Sequence, residues 1–335
     1  MPGEYGTSYF GVRNRTHGGE DLDRFAAAGL NAVLHTYSER DRRYYEGTMT
    51  DIVEASAERG LTTYVNPWAV GRVFGGEALS EFVGRNPDVR QVTGAGEPVY
   101  AACFNNPDFR AFMREWTRSA AGLGPDYLFW DEPHWFLPAW SDQSFPEDTW
   151  ACRCDHCQAA FEEAHGSEMP RENTEEVRAF KQDSLLAFLR EMMAVASDAG
   201  AANAVCLLPS VDADHGLADW ETLAREPDLD VLSTDPYWAA FDEPDAAAFV
   251  GRFAERVATL ADRHDLRSQI WIQGFRLGPD STEDVRAATR AAIDAGVDSV
   301  FMWGYDACES ISSIAPAEPE AVWRAYLEEV AAARE

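Results

Sequence analysis

The spacing of hydrophobic positions switches repeatedly between two periods along this chain. Short runs rich in β-branched and aromatic residues are followed by longer stretches whose apolar positions recur every third or fourth residue. The pattern predicts strands over 9–13, 32–35, 62–66, 127–131, 204–208, 231–234, 269–273 and 299–303. It predicts helices near 19–28, 51–59, 107–120, 174–199, 245–263, 282–295 and 319–333, with Gly60 ending the second. Eight strands alternating with helices in one chain is the pattern of an α/β fold of the (β/α)8 TIM-barrel type, expected here as a single domain over 1–335. A doubly wound open sheet has the same alternation. Its usual Gly-x-Gly-x-x-Gly turn does not follow the first strand here. Long loops follow strands three and four. The first holds a helical piece near 77–84 and a glycine-rich turn at 94–96, and the second runs over 133–173.

Composition adds limits. Of 335 residues, 46% are hydrophobic and 12% aromatic, which supports a large core and argues against disorder. No apolar run approaches the roughly 18 residues that suggest a membrane span. The N-terminus lacks a basic flank followed by an apolar run, so a cytoplasmic protein is expected. The net charge of −30 comes from 58 acidic and 28 basic residues, and Lys181 is the sole lysine. Such a surface repels nucleic acid and anionic lipid, which removes both as partners. The excess of acid is spread along the chain. Arginine-for-lysine bias does not explain it, whereas adaptation to high salt does, so a halophilic protein is expected. Oligomeric state stays open, with a homo-oligomer among the expectations.

The cysteines bring in chemistry. Cys152, Cys154 and Cys157 form a C-x-C-x-x-C run, and Cys103 precedes the fourth strand. Three thiols so close cannot pair off as disulfides, but they can converge on one Zn²⁺, with Cys103 as the natural fourth ligand. His156 is the alternative fourth ligand, and His134 and His165 suit the role less well. Four thiolates leave no open position, so the zinc would be structural. Cys206 reads as a core residue, and Cys308 has no evident partner.

The run Cys103-Phe104-Asn105-Asn106-Pro107, a fourth strand ending in glutamate and the later C-x-C-x-x-C together resemble the catalytic domain of family-42 glycoside hydrolases, which are β-galactosidases. The likeness covers roughly 61–163 and implies a structural zinc and a glycosidase barrel. The fourth strand ends Trp130-Asp131-Glu132-Pro133, where the wider clan of retaining barrel glycosidases has Asn-Glu-Pro. The resemblance makes Glu132 the general acid, with Asp131 in place of the asparagine. At the end of the seventh strand, where the clan keeps its nucleophilic glutamate, stands Gln273. An amide cannot act as a nucleophile, and the further domains of family-42 enzymes are not seen, so β-galactosidase activity is not implied.

Glycoside hydrolysis generally uses two carboxyl groups, and barrel active sites lie at the C-terminal ends of the strands. Asp235, after the sixth strand, is the expected partner of Glu132. A second arrangement makes Asp131 the nucleophile and Asp235 the acid. Asp306 reads as a capping residue. Aromatic and polar residues near strand ends supply a candidate sugar surface: Arg13, His35, Tyr37, Asn66, Trp68, His134, Tyr237, Trp238, Gln273 and Trp303, with Trp135, Phe275 and Tyr305 beside them. A lone histidine on a strand is more often a satisfied core residue, and this applies to His35. The expected function is therefore a glycosidase acting on an oligo- or polysaccharide. The competing readings are a non-catalytic carbohydrate-binding barrel and another sugar-modifying barrel enzyme.

Overall fold

Side-chain alternation along each strand decides which residues reach the inside of the sheet. A computed structural model describes residues 2–141, 143–210 and 214–334. Its strands are β1 (Glu4–Tyr9), β2 (Ala32–Thr36), β3 (Thr62–Asn66), β4 (Arg90–Val92), β5 (Pro98–Ala102), β6 (Tyr127–Asp131), β7 (Ala202–Leu207), β8 (Val231–Thr234), β9 (Arg267–Gln273) and β10 (Ser299–Trp303). The helices are α1 (Arg15–Ala27), α2 (Glu39–Tyr44), α3 (Glu46–Glu58), α4 (Glu81–Arg85), α5 (Pro107–Gly122), α6 (Asp155–His165), α7 (Glu175–Asp198), α8 (Trp220–Ala224), α9 (Ala246–Arg263), α10 (Thr282–Asp294) and α11 (Pro319–Arg334). Eight strands close in the order β1-β10-β9-β8-β7-β6-β3-β2, all parallel, which is the (β/α)8 barrel the sequence predicts. The remaining two, β4 and β5, form an antiparallel hairpin in the loop after β3, around the glycine-rich turn.

One strand lies elsewhere than expected. The first strand is Glu4–Tyr9, not 9–13. Its residues look polar in sequence because their partners come from far along the chain. Glu4 is buried and accepts from Tyr64 Oη (2.7 Å) and Ser299 Oγ (2.8 Å). At Gly6 a Cβ would sit 2.4 Å from the Phe301 ring, so only glycine lets that ring fill the barrel interior. Arg13 consequently lies in the loop before α1.

Inside the barrel, Leu34, Tyr64, Phe129, Ala204, Trp271 and Phe301 fill the lumen. The alternate positions, among them Val33, Val65, Leu128 and Ile270, pack outward against the helical layer. Strong amphipathic stripes bind the helices there. Phe249, Val250, Phe253 and Val257 of α9 recur at three- and four-residue spacing and are buried.

Candidate active site

Three carboxylic acids meet at the C-terminal end of the barrel. Asp131 is the last residue of β6 and Glu132 is the next. Asp235 follows β8, which is separated from β6 by β7 alone. Asp131 Oδ2 accepts from Asn66 Nδ2 at 2.9 Å. The Glu132 and Asp235 side chains are hydrogen-bonded to one another. Glu132 holds a left-handed backbone (φ 44°) while its N–H donates to the Cys206 carbonyl at 2.9 Å. Such a conformation in a non-glycine residue costs on the order of 1 kcal/mol and tends to occur at functional sites. The loop after β3 lies close over the pair. At Gly75 a Cβ would come within 2.5 Å of Glu132 Oε2 and 3.1 Å of Asp131 Oδ2.

Burial, and then the neighbouring Glu132 charge, push Asp131 and Asp235 well above the usual carboxylate range. Glu132 keeps partial contact with solvent, and burial raises it to about 7. Three acids this close cannot all ionise, so the cluster retains a proton near neutrality.

Aromatic rings cover the mouth. Phe10 stacks on Trp303 at 5.3 Å and 20°, and it also meets Trp68 at 5.6 Å. Trp68 Nε1 donates to Glu77 at 3.3 Å. Tyr237 packs edge-on against Phe275 at 5.0 Å. Gln273 is buried with both ends of its amide bonded: Oε1 accepts from Ala239 N and Nε2 donates to the Phe275 carbonyl, both at 3.0 Å. It ties the loops after β8 and β9 together. His134 sits behind the acids, its Nδ1 2.6 Å from the Glu132 carbonyl. Burial lowers its pKa to about 3, so the ring is neutral.

Several expected sugar-surface residues lie elsewhere. His35 faces outward, with Nε2 2.9 Å from Ser56 Oγ of α3. Tyr37 also points outward, to Ser119 Oγ at 2.9 Å and the Trp116 ring. Trp135 donates to the Lys181 carbonyl and packs on Phe104, and Trp238 is buried in the same outer core. Arg13 is engaged by Asp41 at 2.6 Å on the outer rim. Tyr305 packs against Phe25 and Trp323. These placements correct their assignment to the sugar surface: His35 is the outward-facing alternate between Leu34 and Thr36 of β2, and the others lie beyond strand ends, where nearness to the mouth does not fix which way a side chain faces. Asn66, Trp68, Tyr237, Gln273, Trp303 and the three acids share the mouth. Phe10, next to the end of β1, and Gly75 and Glu77, in the long loop after β3, belong there too and carry no signal of it in the sequence.

The four cysteines converge between the loops after β3 and β6. Cys103, Cys152, Cys154 and Cys157 are buried and unpaired as disulfides, with all four Sγ atoms within 4.8 Å of one another. Cys103 Sγ lies 3.4 Å from both Cys157 Sγ and Cys154 Sγ. A tetrahedral ion with 2.3 Å bonds to sulfur would separate its ligands by roughly 3.8 Å. Backbone N–H groups of Val92, Cys154 and Asn105 point at Cys152 and Cys103 sulfurs at 3.3–3.5 Å, which is how thiolate ligands are supported. The set fits a metal ion. His156 and His165 are exposed, and His134 stands at the mouth, so none of them is the fourth ligand.

No family model matches the chain, and no curated protein does. Solved structures do. The catalytic domain of a β-amylase from Paenibacillus polymyxa aligns over 99% of this chain and 98% of its own, with a TM-score of 0.65 and 11% identity. A β-galactosidase from the haloarchaeon Halorubrum lacusprofundi aligns over 99% of this chain, with a TM-score of 0.72 and 15% identity. A GH42 β-galactosidase from G. stearothermophilus aligns over 98%, with a TM-score of 0.71 and 12% identity. The chain spans 58% and 56% of those two β-galactosidases. Likeness at such identities concerns the fold alone: this chain shares the (β/α)8 barrel of these proteins.

Proposed function

We propose that this chain is a glycoside hydrolase acting on an oligo- or polysaccharide, as a single domain over 1–335 in a salt-rich cytoplasm. The observation that carries this is the hydrogen-bonded Glu132–Asp235 pair, joined by Asp131, at the open end of the barrel beside Trp303 and Trp68. Glu132 serves as general acid: the cluster it forms with Asp131 and Asp235 keeps a proton near neutrality, and from Glu132 that proton passes to the departing glycosidic oxygen. Asp235 acts on the other side of the bond, either activating water or attacking the anomeric carbon; in the second arrangement Asp131 is the nucleophile and Asp235 the acid. A water then supplies the hydroxyl and proton that complete hydrolysis. Asn66 orients Asp131, and the aromatic rings take the C–H faces of the sugar.

The ion suited to four cysteines is Zn²⁺, in a structural role. Bound there, it would join residue 103, just after β5, to the start of α6 and hold together the two excursions after β3 and β6. Among the described residues no helix is long and apolar enough to cross a membrane. The competing reading, a carbohydrate-binding barrel without turnover, draws on Gln273, whose amide stands where the wider clan keeps a nucleophile. Turnover of a broad aryl-glycoside panel in high salt separates them. Hydrolysis that falls about 100-fold or more in Glu132→Gln supports the enzyme. Hydrolysis that survives this change removes Glu132 from the mechanism, and binding without any turnover supports the alternative.

A further inference from the structure

Eight buried side-chain polar atoms among the described residues have no hydrogen-bond partner, and four of them lie at the open end of the barrel: Ser8 Oγ, Thr36 Oγ1, Asn66 Oδ1 and Asp235 Oδ1. Buried polar atoms are nearly always paired, because each orphan costs on the order of 1–3 kcal/mol. Four at one end of one lumen call for a common cause.

Their geometry supplies one. Gly6 faces the Phe301 ring inside the barrel, so Ser8, two residues on, faces the same way. A Cβ at Gly304 would lie 2.8 Å from Ser8 Oγ and 2.7 Å from the Phe10 ring, which places Ser8 beneath Phe10 and its partner Trp303. Leu34 and Tyr64 line the lumen, and Thr36 and Asn66, two residues beyond each, are direct partners in the β2–β3 ladder. Ser8, Thr36 and Asn66 are fully buried and Asp235 is 2% exposed. The Asn66 amide is already committed on its nitrogen side to Asp131, which leaves its oxygen as an acceptor.

We infer that Ser8, Thr36 and Asn66 form a hydroxyl-recognising floor for a single sugar ring, which reaches it by displacing the Phe10–Trp303 cover, since the floor atoms are closed to solvent in the ligand-free structure. This rests on the carbohydrate reading above. Amide and carboxylate oxygens need donors, while the two side-chain hydroxyls donate or accept. Alcohol groups of a sugar meet both needs. An ionised carboxylate brings acceptors alone and leaves the Asn66 oxygen unpaired. The floor also replaces the role first given to His35 and Tyr37, since Thr36, lying between them, is the residue whose side chain faces inward.

Calorimetric titration with D-galactose, D-glucose, D-mannose and D-xylose tests this, run in high salt on wild type, Ser8→Ala, Thr36→Val and Thr36→Ser. Thermal melts of each sugar-free protein accompany it. We expect at least one sugar to bind wild type, to bind Ser8→Ala and Thr36→Val about tenfold more weakly or worse, and to bind Thr36→Ser nearly as well as wild type. The sugar-free Tm of Thr36→Val should hold or rise, because the methyl replaces a hydroxyl that has no partner. Equal affinity in wild type and both hydroxyl-less variants would overturn the floor while leaving the carbohydrate reading intact. So would a Tm drop in Thr36→Val of the size expected for a satisfied hydroxyl. If none of the four sugars binds wild type, the carbohydrate reading and the floor fail together.

Discussion

Asn66 donates from Nδ2 to Asp131 Oδ2 across 2.9 Å and so ties the last residue of β3 to the last residue of β6. The bond lowers the pKa of Asp131 against burial and the Glu132 charge, both of which raise it. In Asn66→Ala that support disappears and Asp131 holds its proton more firmly. We expect kcat/KM to fall about tenfold to 100-fold, with stability reduced by on the order of 1–3 kcal/mol. Steady-state kinetics and urea denaturation read the two effects separately.

Gly75 has a purely spatial role. An added Cβ would meet Glu132 Oε2 at 2.5 Å and Asp131 at 3.1 Å, so Gly75→Ala must push the carboxylates or the loop aside. The expected outcome is a folded protein whose turnover drops about tenfold or more, since small misplacements of catalytic groups are costly. Unchanged kinetics in Gly75→Ala would show that the loop yields without moving the acids.

The raised pKa of Glu132 links activity and stability to pH. Its folded value of about 7 lies above the ordinary 4.5, so its contribution to stability is fully present below about 4.5 and is lost as pH rises through about 7. Replacing it with the neutral Gln removes that loss. Glu132→Gln should therefore gain Tm relative to wild type above pH 7, with the gain shrinking toward acid. The kcat/KM of wild type should decline as pH rises through about 7, where the proton donor empties. Paired melts and a pH–rate profile check both directions.

Much of the barrel was legible from the chain because buried strands such as Thr62–Asn66 and Ser299–Trp303 carry their own β-branched and aromatic signal. The first strand did not, because Glu4 and Gly6 make sense only beside Tyr64 and Phe301, remote in sequence. The short β4–β5 hairpin was equally silent: its three-residue β4 has too few positions to show a period. At the site, acids placed directly at strand ends were visible as candidates, and Asp131, Glu132 and Asp235 do lie together. His35 and Tyr37 show the limit. Proximity to a strand end does not say which way a side chain faces, and the interior positions fell to Ser8, Thr36 and Asn66 instead.

Four buried thiols within 4.8 Å of one another give the cysteine cluster a simple test. The purified protein should carry one tightly held zinc ion per chain by elemental analysis. Cys103→Ser or a strong chelator should remove it and lower stability by on the order of 3 kcal/mol, roughly 5–10 °C in Tm. Residual activity at low temperature is expected, since the three acids are not part of the cluster.

A crystal structure with a bound non-hydrolysable glycoside would show whether the two acids flank the reacting bond. The anomeric carbon should lie between the Glu132 and Asp235 carboxyls, with their mutual hydrogen bond broken by the sugar. A glycoside bound away from the barrel mouth, with Glu132 and Asp235 still joined to each other, would contradict that arrangement.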